Sequence, residues 1–148
     1  MLKPFLVLAL CFASCATPPQ IHEFQKTWTV PSSFDKTWSA TVQLFAEHGW
    51  PIDTLEKDSG IIVSDWIQLN GSESAAFVDS GNAGLAYVRS REAKFNVFIQ
   101  NEGANPSLTV NTNFREQRTF DQQVWYQECT SLGVLEARLH EEIVNLVQ

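Results

Sequence analysis

The chain is 148 residues long, with 17 acidic residues against 10 basic ones and a formal net charge of −7. That length suits a single domain, and five Trp and ten Phe supply bulk for one core. The acid excess excludes a nucleic-acid partner, which needs clustered Lys and Arg, and excludes adhesion to an anionic membrane through charge alone.

Residues 1–14 read as a processing signal rather than as structure. Lys3 carries one positive charge, and "FLVLALCFA" (5–13) is an unbroken apolar run of nine. A run of that size suits a signal-peptide core and is about half of what a helix needs to span a bilayer. Small Ala13 and Ser14 then precede Cys15. The stretch "FASC" resembles the lipobox of bacterial lipoproteins, in which the cysteine is lipidated and becomes the mature N-terminus, although Phe12 stands where an aliphatic residue is usual. Cys11 is the poorer candidate because bulky Leu10 precedes it. The alternative is an ordinary secretory signal cut near "ASCA", with Cys15 unmodified. Residues 15–22 then form a lipidated tether, stiffened by Pro18 and Pro19. Ala16 is not the aspartate associated with inner-membrane retention, which points to the outer membrane, facing the periplasm; a soluble periplasmic protein is the alternative.

A domain is expected over residues 23–148. "EFQKTWTV" places Phe24, Trp28 and Val30 on one face and predicts a first strand. Ser32 or Ser33 can cap a helix with Asp35 in its first turn, and Phe34, Trp38, Val42 and Phe45 recur at helical spacing until Gly49 ends it. "KDSG" predicts a turn between strands over 52–57 and 61–69. Residues 70–84 are small and polar and read as a long mobile loop. Strands follow in "AYVRSREAKFNVFIQ" and "SLTVNTNFREQRTF", joined through "NEGANP". "DQQVWYQEC" reads as a second loop. A final helix carries Leu132, Leu135, Leu139, Ile143 and Leu146 as its apolar stripe.

Two amphipathic helices each need an apolar partner, and one face of a twisted antiparallel sheet can receive both. The fold class is therefore α+β, an antiparallel sheet with two helices packed on one face: a helix-grip domain in the order β-α-β-β-β-β-α. Within this order, "FDKTWSATVQLFAEHGWPIDTLEKDSGIIVSDW" resembles the repeated unit of the BamC-type lipoproteins of the Gram-negative outer-membrane barrel assembly machinery. The shared features are Trp38 in the first helix, the glycine that ends it, the acidic turn "EKDSG" and the strand after Gly60. "CTSLGVLEARLHEEIV" is similar to the family's closing helix, with Gly133 and Glu136 in matching places. The resemblance implies a non-catalytic role in protein binding or assembly.

No constellation of residues argues for an enzyme. "LHEEIVNL" has no second histidine four residues after His140, so the zinc-protease pattern fails. His22, His48 and His140 lack cysteine partners at ligand spacing, so neither a metal nor a cofactor is expected. Glu56 and Asp58 sit in a solvated turn without the burial that raises a carboxyl pKa. "GNAG" at 81–84 lacks the strand-before, helix-after setting of a phosphate loop. With Cys15 modified, Cys129 stands alone and reads as a small buried apolar residue. The expected function is thus a non-catalytic envelope lipoprotein that binds or assembles a protein partner. The alternative is a carrier of a small apolar ligand or lipid between sheet and helix.

Period-two arithmetic nominates a binding patch. It groups Ile61, Val63, Ile67 and Leu69 on one face of their strand, and Ile62, Ser64, Trp66 and Gln68 on the other. In "KFNVFIQ" it separates Phe95, Val97 and Ile99 from Asn96, Phe98 and Gln100. If the more apolar sets meet the helices, Trp66, Phe98 and Ile62 lie on the open sheet face as a candidate patch.

Overall fold

A computed structural model describes residues 16–101 and 103–148; the expected signal segment and the lipidation site Cys15 lie outside the described residues. Helix α1 (Phe34–His48) starts where the sequence punctuates it. Ser33 is extended, and its hydroxyl accepts the Lys36 N–H at 3.4 Å, a type of cap that contributes about 1 kcal/mol. It stops at Gly49, whose φ of 66° lets its N–H reach back to the Ala46 carbonyl. The helix turns Trp38, Ala40, Leu44 and Phe45 inward.

Strands β1 (Thr27–Thr29), β2 (Ile52–Glu56), β3 (Ile61–Ser64), β4 (Ile67–Leu69), β5 (Val78–Asp79), β6 (Tyr87–Gln100), β7 (Ser107–Phe120) and β8 (Gln123–Ser131) precede the closing helix α2 (Val134–Val147). The strands pair antiparallel in the order β2-β3-β6-β7-β8-β5, with β1 also on β7 and β4 also on β6. Their registers put Ile62 beside Val97, Val97 beside Val110 and Ile99 beside Leu108. These side chains form one buried cluster with Phe45 and Trp38 of α1 and Leu139 and Ile143 of α2. The helices touch each other, and α1 rests on β6 while α2 rests on β7. The domain is therefore an α+β sheet gripped from one side, as its amphipathic helices require. Burying one ring such as Phe45 contributes roughly 1.5–3 kcal/mol, and Phe45 meets Trp50 and Phe95 edge-on at 5.5 and 6.1 Å.

Four expectations need correction. The strand expected over 61–69 is broken at Asp65 and Trp66, where the Asp65 N–H leaves the ladder for the Pro51 carbonyl and the Trp66 N–H is taken by Asp65 Oδ1. The break changes the alternation: Ile62 and Ser64 face the helices before it, and Ile67 and Leu69 after it. Residues 70–84 hold a 3₁₀ turn (Ser72–Ala76) and β5, with Phe77 and Val78 buried, rather than a long mobile loop. "DQQVWYQEC" is mostly strand β8. Its hairpin turns through Asp121 and Gln122, both at positive φ, without the glycine that usually marks such a turn. Finally, Leu132 precedes α2 and Leu146 lies in its last turn, and both are exposed; Glu136 takes an inward place instead.

Candidate functional site

The sheet face opposite the helices carries no helix among the described residues. Odd-numbered β7 residues and, from Ser90 onward, even-numbered β6 residues alternate onto it, mostly polar ones; a register shift between Val88 and Ser90 reverses the phase at the start of β6. Arg115 is its organising residue. Its guanidinium lies 4.0 Å from the centroid of the Trp66 ring and 4.3 Å from that of Tyr126. Arg115 Nε donates to Glu92 Oε2 at 2.5 Å, and Gln68 Nε2 donates to Glu92 Oε1 at 2.5 Å. A planar cation between two rings, tied to a carboxylate, is held in one orientation, and each cation–π contact contributes about 0.5–1 kcal/mol at an exposed site. Three separate strands or breaks build this stack: the Asp65–Trp66 break, β7 and β8.

The three residues expected to form a patch are not brought together. Trp66 is on the open face, half-buried against Arg115. Phe98 shares that face but pairs with Ile61, beyond the rows of Lys94 and Asn96, about four residues or roughly 13 Å along the strand. Lys94 is 3.8 Å from Asp53, so an ion pair interrupts the surface between the two rings. Ile62 is 0% exposed, in register with Val97 under the helices, and offers nothing to a partner. Its placement fails because β3 turns its odd residues outward, the reverse of the apolar count. Arg115 and Tyr126 belong to the cluster and were not foreseen, since Tyr126 lay in a segment read as loop. The signal available was the run "VWYQ", whose aromatics favour a strand.

A cleft of about 510 Å³ opens where β8 leaves β7 upstream of Phe114. The incoming segment crosses this opening, and His22, Lys26, Trp66 and Glu128 line it. The buried carboxylate of Glu136 also lines it, accepting hydrogen bonds from Thr112 Oγ1 and from Ser131 Oγ at 2.9 Å. Glu136 lies in the first turn of α2, where the helix N-terminus favours a negative charge. The Gly133 N–H closes the arrangement on Ser131 Oγ at 2.9 Å. Glu136 is thus a satisfied buried carboxylate that ties α2 to β7 and β8.

Beyond the helices, on the gripped face, Glu116 sits between two arginines. Arg118 Nε is 2.6 Å from Oε1, and Arg91 Nε is 3.2 Å from Oε2. Arg118 Nη2 also donates to the Ser80 carbonyl at 2.6 Å, tying the 70–86 segment over the triad. The neighbouring Cys129 thiol is pushed up to about 11, by burial first and by the Glu116 charge second. It is a neutral, weakly nucleophilic thiol at physiological pH. The histidines are likewise committed. His22 is 2.8 Å from Asp79, and His48 is 2.8 Å from Glu142 and stacked on Trp50. His140 stacks on Trp28 at 4.7 Å, and burial pulls its pKa down. Among the described residues no group of three or more His, Cys, Asp or Glu is placed to hold a metal ion. No helix among them is long and apolar enough to cross a membrane.

No protein-family model matches the chain, and no curated protein matches it.

Proposed function

We propose that the protein is a non-catalytic lipoprotein of the Gram-negative cell envelope, attached to the outer membrane through Cys15 and acting as a protein-binding or assembly module of the BamC kind. The observation that carries this reading is the preorganised stack of Trp66, Arg115 and Tyr126 on the open sheet face. Trp, Tyr and Arg are the residue types that dominate binding energy at protein interfaces. Here they are fixed before any partner arrives, which lowers the ordering cost of association. The fragment "FASC" supports the anchor, and the acidic surface leaves attachment to the lipid. A carrier of an apolar ligand needs space between sheet and helices, and Phe45, Trp50 and Phe95 fill much of it.

The test is a crosslinked pulldown from detergent-solubilised envelopes, comparing the native chain with Trp66→Ser and Arg115→Gln. Both variants should keep the native circular dichroism spectrum and lose the same specific partner. Recovery of unchanged partners by two folded variants rejects this face as the interface.

A further inference from the structure

The geometry points to a second membrane contact: the end of the domain formed by the start of β6 and the β7–β8 hairpin rests in the interfacial layer of the bilayer. This inference builds on the lipidation of Cys15. Two independent observations meet there.

The first is where the chain enters. The tether is not loose over its described part. The Asn82 N–H donates to the Thr17 carbonyl at 3.0 Å, the Gln20 N–H donates to Asp79 Oδ2 at 3.3 Å, and Thr130 Oγ1 donates to the Gln20 carbonyl. From Gln20 back to Thr17 the chain therefore runs from the level of Asp79 and Thr130 to that of Asn82. β5 and β8 are antiparallel, so this is the direction of the β8 N-terminus and the hairpin turn. The Ser80 carbonyl takes a hydrogen bond from Arg118, which pairs with Trp125 on one side and Val88 on the other. Ala16 alone separates Thr17 from Cys15, two residue steps of at most about 7 Å when extended. A lipid on Cys15 thus holds this end of the domain against the membrane, and the domain has no long linker on which to swing.

The second is what that end exposes. Leu85 is 69% and Tyr87 75% accessible, and Val88, Phe120, Val124 and Trp125 are all exposed beside them. Tyr87 and Val124 flank Thr119 on one face of the hairpin end, and Val88 and Trp125 flank Arg118 on the other, so this end exposes apolar side chains on both faces, as an edge that dips into a membrane interface would. Trp and Tyr have the amphipathic character that concentrates them at the membrane–water interface. The turn itself is polar, Asp121–Gln122–Gln123, and Arg89 stands exposed next to Val88. These groups belong at the headgroup layer, which sets a shallow contact. A weak contact suffices, because the anchor makes it intramolecular and raises its effective concentration.

The experiment uses the mature lipidated protein in phosphatidylcholine vesicles with plain or brominated acyl chains, reading tryptophan fluorescence. Brominated chains should quench the share of emission that belongs to Trp125, one of five tryptophans, and Trp125→Phe should abolish that quenching. Leu85→Asp with Val124→Asp, folded by circular dichroism, should abolish it with Trp125 still present and the protein still on the vesicle. Quenching equal in the native protein and Trp125→Phe overturns the proposal, and so does its complete absence in vesicle-bound native protein. A mature N-terminus without lipid mass on Cys15 overturns the anchor as well, which separates the two failures.

Discussion

Replacing Glu116 by Gln probes the least forgiving part of the fold. The side chain is fully buried, 2.6 Å from Arg118 and 3.2 Å from Arg91, whose own side chains are 8% and 22% exposed. The substitution keeps shape and volume but removes the carboxylate that both guanidinium groups meet. Breaking a buried pair from one side costs about 3–5 kcal/mol, because the stranded charge keeps its desolvation penalty. Against a total stability of about 5–15 kcal/mol, that loss is severe. Removing all three charges is a different perturbation. Glu116→Leu with Arg91→Met and Arg118→Met should be near neutral, since well-packed apolar replacements of buried ionic triads commonly are. Urea unfolding followed by circular dichroism reads both, with an unchanged m-value licensing the comparison. The Cys129 thiol gives a second readout. Without the Glu116 charge that helps to raise it, its ionisation midpoint should fall, measured by alkylation rate against pH. A loss below about 1 kcal/mol in Glu116→Gln refutes the reasoning, because it means that water already solvates the triad.

Trp38 lies 7% exposed on the inner face of α1, stacked on Phe34 at 6.2 Å; Trp38→Ala should cost about 3–5 kcal/mol in the same denaturant assay. The Asp79 carboxyl is held below the ordinary range by the His22 hydrogen bond first, then by the backbone N–H groups of Gly81 and Gln20. A depressed folded-state pKa contributes stability above the ordinary aspartate range and loses it as pH falls through the lower folded value. The protection factors of residues 16–22, taken against the intrinsic exchange rate at each pH, should therefore fall in acid, and Asp79→Asn should show the lower protection already at neutral pH. His140 works in the same direction: its pKa is lowered by burial, so its contribution is complete above the ordinary histidine range and is lost as pH falls through the folded value.

The gripping architecture was legible because its signals are local. Ser33, Gly49 and the Trp38–Phe45 spacing define α1, and alternation over Ala93–Ile99 and Leu108–Arg118 defines β6 and β7. What escaped depends on contacts made across the chain. β5 has only two residues and exists because Val78 and Asp79 find Ser131 and Thr130 on β8. β8 itself was hidden by its turn, since Asp121 and Gln122 adopt positive φ without a glycine between the strands. The patch was mistaken for a related reason. Strict alternation cannot foresee a break at Asp65, and a break turns Ile62 inward while Trp66 faces out. Arg115 is not legible because nothing about an arginine in a strand announces one ring from a strand break and another from β8 closing on it.

The claim at the centre of this account is that the domain is fixed to the envelope by a lipid on Cys15. Intact mass spectrometry of the mature protein, paired with membrane fractionation of the native chain and Cys15→Ala, tests it directly. The account predicts an N-terminus at Cys15 carrying acyl mass, and release of Cys15→Ala into the soluble envelope fraction. A mature protein beginning elsewhere or bearing no lipid, or a Cys15→Ala protein that stays with the membrane, contradicts it.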